Sequence, residues 1–328
     1  MREGSLFPAA FPELSAPAAE DLGHRLARAA AAEGPVTSVR RDPLEATWYR
    51  TEVVTVELGP GAVARFFLKD FGSFARAKSN MEARRERERF FYKEVFPGGE
   101  LGLPAYVADV WDGHTWLVLE MVDGAPLSWH ELDLWHRAAA WLGGFQSAVV
   151  DRMPELVSSG RFTTHGPRYF ARIGTRAVAG AGEYDPELAR RVNDLLPRYE
   201  EHAATLMRHP QTLVHGGFRP AQVLVSGDGD SPRICPTDWE ISAVGSCLYD
   251  LATLADGFEG AEAEAFLEHF AAEAPWVGAA PAPGDLQDAL AACRMHRTMK
   301  WIAHAYARGM PLAKTRALVD SLEAGGRA

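Results

Sequence analysis

His215-Gly216-Gly217-Phe218-Arg219-Pro220-Ala221-Gln222 and, sixteen residues after Gln222, Asp238-Trp239-Glu240 decide how this chain is read. Between them lie two short β-like runs, Val223-Leu224-Val225 and Arg233-Ile234-Cys235, flanking a polar turn, Gly227-Asp228-Gly229-Asp230. That alternation of apolar runs and turn residues predicts a hairpin, which puts the Asp238 carboxylate just beyond a strand. Gly245 and Tyr249-Asp250-Leu251-Ala252 follow. Alone, Asp238 reads as a turn or helix-capping acid; the spacing of its neighbours gives it more weight.

Working outward, 328 residues suffice for one large two-lobed domain or two ordinary ones. A hydrophobic content of 47% and a charged content of 24% are those of a globular chain and argue against long disorder. The formal charge of -10 argues against general nucleic-acid binding, which needs a concentrated basic surface. The one basic run, Arg84-Arg85-Glu86-Arg87-Glu88-Arg89, is interrupted by acids at helical spacing and reads as a self-paired helix face. Cys235, Cys247 and Cys293 cannot all pair with one another and have no C-x-x-C spacing, which fits a reducing compartment without a zinc site. Met1 to Pro17 lacks the pattern of a secretory signal, and no run reaches the roughly 20 apolar residues of a membrane span. A soluble cytoplasmic protein with no membrane or nucleic-acid partner is expected.

Ala18 to Ala32 reads as an alanine-rich helix stopped by Gly34-Pro35. From Val36 the texture turns to β: Glu52 to Leu58, a Gly59-Pro60-Gly61 turn, and a return strand from Val63 to Lys69. Ser79 to Phe96 forms a long helix pattern, followed by strands at Ala105 to Trp111 and Thr115 to Met121 around an Asp112-Gly113 turn. Beyond Leu132 the pattern is mainly helical, at 134–150, 186–208, 261–272 and 286–307, with most of Trp129, Trp135, Trp141, Trp276 and Trp301 expected in the core.

In that order, the segments resemble the aminoglycoside phosphotransferase and choline kinase family, which writes the first motif as H-G-D-x-x-x-x-N and the second as D-W-E-x-x-x-x-G-x-x-x-x-D-L-A. The resemblance implies an α+β, bilobal protein kinase-like fold: a small antiparallel β-sheet N-lobe with one long helix and a large, mainly helical C-lobe. The expected divisions are an N-terminal helical extension over 1–34, the N-lobe over 35–122 and the C-lobe over 123–328. The resemblance also implies ATP, or another nucleoside triphosphate, with magnesium. Lys69, at the end of an apolar strand, would contact the α- and β-phosphates; read alone it is a surface lysine. Arg87 to Pro97 looks like the family's R-E-x-x-F-Y-x-E-x-x-P helix, which puts Glu88 in the place of the lysine's partner. Leu117 to Gly124 resembles the inter-lobe hinge, with backbone groups of Glu120 and Val122 as nucleobase partners. Asp238 and Gln222 are the implied magnesium ligands, while His215 and Asp250 support the loop.

The chain departs from the family pattern at two motif positions. Gly217 stands where the family's catalytic aspartate orients the acceptor hydroxyl, and Gln222 replaces an asparagine, a change also carried by maltokinase-like members. In addition, Arg40 to Arg50, where a phosphate-covering loop belongs, contains no glycine, leaving Thr47 or nearby amides for that task. Losing a general base typically costs about 10²–10⁴-fold in rate, yet phosphoryl transfer relies mostly on positioning and electrostatics. Arg219 is a candidate cation for the transferring phosphate and Glu240 a candidate substitute carboxylate. Two readings follow: a phosphotransferase acting on a hydroxyl of a small molecule or peptide, or a pseudokinase that binds or scaffolds a protein partner. Nucleotidyl transfer is a third.

Overall fold

β-branched and aromatic residues alternating through Val53–Leu58 and Val63–Phe71 build the centre of a five-stranded sheet. The computed structural model describes residues 16–29, 34–44, 49–59, 61–74, 80–111, 114–227, 231–278 and 282–325. Thr47, Pro60, Ser79, Asp112-Gly113 and Asp228-Gly229-Asp230 lie outside them. The chain divides into two compact units, Met1–Pro126 with Val223–Glu240, and Leu127–Gln222 with Ile241–Ala328.

The first unit opens with α1 (Ala16–Ala29), β1 (Val36–Leu44), β2 (Tyr49–Leu58) and β3 (Ala62–Phe74). After α2 (Met81–Phe90) come β4 (Tyr106–Trp111), β5 (His114–Glu120) and the short β6 (Gly124–Pro126). The sheet runs β1-β2-β3-β5-β4, antiparallel throughout, with Lys69 of β3 opposite Thr51 and Leu117. Side chains in a strand alternate between faces. One face carries Val54, Val56, Leu58, Phe66 and Leu68, and Leu22 and Leu26 of α1 are buried against it. Lys69 belongs to the other face.

The helix expected over 79–96 is α-helical only to Phe90. One wider π turn, Phe91–Val95, follows before Pro97, and it buries both Phe91 and Tyr92. Such a turn inserts extra backbone into a helix and re-aims its side chains.

In the second unit, α3 (Leu132–Val149) leads through α4 (Met153–Ser158), β7 (Thr163–Thr164) and α5 (Pro167–Gly182) to α6 (Pro186–Asp194), α7 (Leu196–Arg208) and β8 (Gln211–Val214). The helix expected over 186–208 is interrupted at Leu195, because Pro197 has no N–H to continue the ladder. The chain then returns to the first unit as the hairpin β9 (Val223–Ser226) and β10 (Arg233–Pro236), to which β6 adds a third strand. It re-enters the second unit at β11 (Ala243–Ser246), which pairs with β7 and β8, and ends with α8 (Tyr249–Leu254), α9 (Ala261–Glu273), α10 (Pro283–His304) and α11 (Leu312–Glu323).

Phe145, Phe170, Tyr199, Phe218, Phe266 and Phe270 form the buried aromatic core of this unit. The tryptophans expected there lie further out: Trp129 is 78% exposed and Trp301 39%, and the other three are half-buried. Phenylalanines and alanines fill the helix-facing positions instead. The three cysteines are buried and unpaired. Among the described residues no helix is long and apolar enough to cross a membrane.

Candidate functional site

Lys69 reaches its place because β3 is an interior strand whose alternation turns every second side chain away from α1. Its ammonium donates to Glu88 Oε2 at 2.7 Å and to Asp238 Oδ1 at 2.8 Å, and it lies over the rings of Tyr49 and Phe71 at 4.8 and 5.4 Å. Burial alone would favour the neutral amine, but the carboxylates of Asp238, Glu88 and Glu240 outweigh it and hold the lysine charged, above its ordinary range. Burial pushes the Glu88 carboxyl up to about 7, opposed by Lys69. The lysine–glutamate pair expected from the sequence is thus formed inside the first unit, and Asp238 joins it there.

These three side chains line a cavity of about 480 Å³ that also touches Phe67, Leu119 and Leu224. Glu120 and Val122 line it too. The Glu120 carboxylate is engaged by Arg233, with Nη1 at 2.6 Å from Oε1 and Nη2 at 2.9 Å from Oε2, and its N–H donates to the Ala105 carbonyl. Its side chain is thereby committed to the scaffold, leaving its backbone carbonyl as the group expected to serve a ligand.

Asp238 has a φ of 67°, one of three non-glycine residues in the left-handed region among those described. Aspartate tolerates that conformation better than most side chains, and local strain of this kind clusters at working sites. The surroundings hold it in place. Trp239 stacks on Phe91 of the π turn at 3.8 Å between ring centroids, and its indole N–H donates to the Pro236 carbonyl. Arg87 donates to the Glu240 carbonyl at 2.7 Å, and Arg84 pairs with the Glu240 carboxylate at 3.1 Å. The carboxylate oxygens of Glu88, Asp238 and Glu240 lie within 4.8 Å of one another, a donor set of the hard type a magnesium ion takes. The Tyr92 hydroxyl is buried at the same cavity without a hydrogen-bond partner, so a polar group, ion-bound water or ligand, is needed there. The sequence had shown Tyr92 only as half of a Phe-Tyr pair. Nothing local signalled the Arg84 and Arg87 clamp on a residue more than 150 positions away.

The loop of the first motif, His215 to Gln222, belongs to the second unit. Beyond β8, the backbone N–H groups of His215 and Gly216 donate to the two carboxylate oxygens of Asp250, at the start of α8. Burial pushes that carboxyl up to about 7, even though the amides of His215, Gly216 and Phe218 pull it down. His215 is fully buried and packs edge-on against Phe218. Gly245 is required by close packing, since a Cβ there would lie 2.8 Å from the His165 ring.

Gly216 and Gly217 differ in kind. Gly216 has φ +80° and a Cβ would lie 2.5 Å from the Ile241 carbonyl, so only glycine fits. At Gly217 the backbone is ordinary, and a Cβ would instead meet the Ile241 δ-methyl at 2.9 Å. That methyl is the far end of a side chain that can turn aside, so the contact with Ile241, which sequence reading did not find, bars a side chain at Gly217 far less than the carbonyl does at Gly216. Arg219 is exposed, and its Nε points at Gln222 Oε1 at 3.4 Å.

An antiparallel sheet holding a buried lysine–glutamate pair, a carboxylate beyond a β-hairpin and a helical unit carrying a loop braced by a buried aspartate define a protein kinase-like phosphotransferase fold. Residues 24–283 match the Phosphotransferase enzyme family, and the chain belongs to that family. Its fold is similar to that of macrolide 2'-phosphotransferase MphH from Brachybacterium faecium, at 19% identity and TM-score 0.57, covering 92% of this chain and 98% of that one. It is also similar to the GDP and kanamycin complex of APH(2")-IIia, at 15% identity and TM-score 0.58, covering 93% and 98%. A third similar fold is choline kinase from Cryptosporidium parvum Iowa II, at 12% identity and TM-score 0.54, covering 88% and 91%. No curated protein matches the chain by sequence.

Proposed function

We propose that the chain binds a nucleoside triphosphate, ATP in the first instance, with magnesium in the cavity of the first unit, and transfers phosphate to a hydroxyl of a small molecule or peptide. The observation that carries this reading is the buried Lys69 clamped between Glu88 and Asp238 at the cavity wall. A lysine kept charged and fixed at that place suits the α- and β-phosphates of a nucleotide. Backbone groups of Glu120 and Val122 would take the base edge, between the apolar sides of Phe67 and Leu224. Asp238 would hold the ion, with Gln222 assigned to it by the family motif alone; bound magnesium would neutralise charge on the phosphates. On nucleotide binding, Lys69 would exchange part of its pairing with Asp238 for phosphate oxygen, and Glu88 would keep it oriented. Arg219 is the cation proposed for the transferring group. The similar fold solved with GDP and kanamycin supports a nucleotide and a small polar acceptor.

Calorimetric titration of ATP with and without magnesium, on wild type and Asp238→Ala, tests this reading. Magnesium-dependent binding that the substitution abolishes is the expected result; no binding by the wild type would remove the proposal.

A second reading, binding without transfer, is favoured by Gly217, which has no side chain to orient a hydroxyl and lies with the Ile241 methyl 2.9 Å from where a Cβ would be. Gly217→Asp alone would force the new side chain against the Ile241 methyl. The double variant Gly217→Asp, Ile241→Ala makes room for it. If the base is the only missing part, the double variant should raise magnesium–ATP turnover, followed as ADP release, by about 10²–10⁴-fold over wild type, with the single variant well behind. Equal turnover in all three would favour a pure binding role.

A further inference from the structure

Arg168, Arg172 and Arg176 recur every four residues on α5 and are all exposed. At 1.5 Å rise per residue, they form a stripe about 12 Å long on one face of the helix. None of the three has an ion-pair partner among the described residues, and the only ring contact is Arg172 over Tyr169 at 5.8 Å. Elsewhere in this unit, by contrast, Arg190 pairs with Glu187 and Asp194, and Arg191 with Asp320 and Glu323. Residues 156–182 contain four arginines and no acid, in a protein of net charge -10. Between and beside the arginines the exposed positions are Ala171, Thr175 and Ala179, small side chains that let another helix approach closely.

The opposite composition occupies α9. Residues 257–293 contain seven acids and neither lysine nor arginine. Glu262, Glu264 and Glu268 are exposed on α9 without an ion-pair partner among the described residues, and alanines lie between them. Glu264 and Glu268 repeat the four-residue step of the arginine stripe, so carboxylates and guanidiniums share one spacing. Each helix buries its apolar side, α5 through Phe170, Ile173 and Ala177, and α9 through Ala263, Phe266, Leu267 and Phe270. The charged sides therefore have no place in this chain's own core.

We propose that these faces are the two halves of a self-association surface, the arginine face of α5 in one copy docking on the acidic face of α9 in a second copy. With a two-fold axis relating the copies the interface is isologous, α5 of each copy meeting α9 of the other, and it closes a dimer. Its strength comes from several charge pairs, so it falls as salt rises: screening shortens from about 10 Å at 0.1 M to about 3 Å at 1 M ionic strength. Like-charge juxtaposition elsewhere on this acidic surface disfavours other dockings.

Sedimentation velocity tests the proposal on the full chain. Wild type should associate at low salt in a concentration-dependent way and dissociate at about 1 M salt. Reversing the first face (Arg168→Glu, Arg172→Glu, Arg176→Glu) should leave a monomer, and so should reversing the second (Glu262→Lys, Glu264→Lys, Glu268→Lys). Mixing the two monomers should restore association in a one-to-one ratio, since opposite charges then face each other again. Circular dichroism and the thermal midpoint of each variant establish that both are folded. A wild type that stays monomeric at low salt overturns the proposal, as does association indifferent to salt or a failure of the two folded variants to combine. A monomeric wild type that binds a polyglutamate peptide, and loses it on reversal of the arginines, assigns the stripe to an acidic peptide instead.

Discussion

Asp250 shows how one buried carboxylate organises a loop and what it costs. It collects the amides of His215 and Gly216 on separate oxygens, with that of Phe218 in support, and so fixes the backbone on both sides of the glycine pair. Burial raises its pKa to about 7, whereas an unfolded aspartate titrates near 3.9, a value typical of model peptides. Between those values the folded state binds more protons than the unfolded state. The stability contributed by this group is therefore complete below about pH 4 and is lost as pH rises through about 7. Asp250→Asn removes the titration, and it also turns an amide N–H toward one of the backbone donors, so the variant should be less stable throughout. The stability gap between wild type and variant, from urea unfolding, should be larger near pH 4.5 than near pH 8. A gap that does not change with pH would show that Asp250 ionises alike in both states. Gly216 belongs to the same construction, since its left-handed φ and the nearby Ile241 carbonyl admit no side chain.

At the scale of elements, α2 and the π turn after it carry Glu88 and the ring that holds Trp239. Phe91 is fully buried and stacked on Trp239, and the next residue but one to that ring's neighbour Asp238 is clamped by Arg84 and Arg87. Phe91→Ala should destabilise the protein by about 3–5 kcal/mol, as deletion of a buried aromatic does, measured by the shift in urea midpoint at unchanged slope. It should also weaken magnesium-dependent ATP binding in the surviving folded fraction, because Asp238 loses its support. A surface-like effect below about 0.5 kcal/mol would deny the stack that role. Much of this element was legible in the sequence. The Phe-Tyr pair before Pro97 located Glu88, and the β-branched runs located β2 and β3. The π turn was not legible, because a helical period continues through it. Helix α5 was missed for a different reason. Its glycines lower helix propensity, but they are there for packing: a Cβ on Gly180 would lie 2.7 Å from the Ile302 carbonyl of α10, and one on Gly174 would lie 2.9 Å from Leu196. Contacts between distant segments, such as Arg84 with Glu240 and Gly217 with Ile241, leave no local trace that a single sequence can reveal.

For the whole molecule, chain connectivity makes the candidate nucleotide site of the first unit discontinuous in sequence. The polypeptide leaves the first unit after Pro126, returns at Val223 and leaves again after Glu240, so Asp238 arrives on a first-unit hairpin that lies in sequence between two segments of the second unit. A ligand held by Lys69, Glu88 and Asp238 bridges strands that are far apart in the chain and binds only when the hairpin is docked on the sheet. It therefore favours the folded state by RT ln(1 + [L]/Kd), about 2.7 kcal/mol at a hundredfold excess over Kd. For a chain of this size a gain of that order moves the thermal midpoint by several degrees, at about 2–4 °C per kcal/mol for domains of 150–250 residues. Scanning calorimetry should show this rise for wild type with magnesium and ATP together. ATP alone should give less, because the cavity's own carboxylates repel the unneutralised triphosphate. Measured against each variant's own unliganded midpoint, Asp238→Ala should lose the magnesium-dependent part and Lys69→Met most of the response in both conditions. A midpoint that rises equally in wild type and in both variants would place the nucleotide elsewhere on the molecule, and the clamp of Lys69 between two carboxylates would then be a structural ion pair alone.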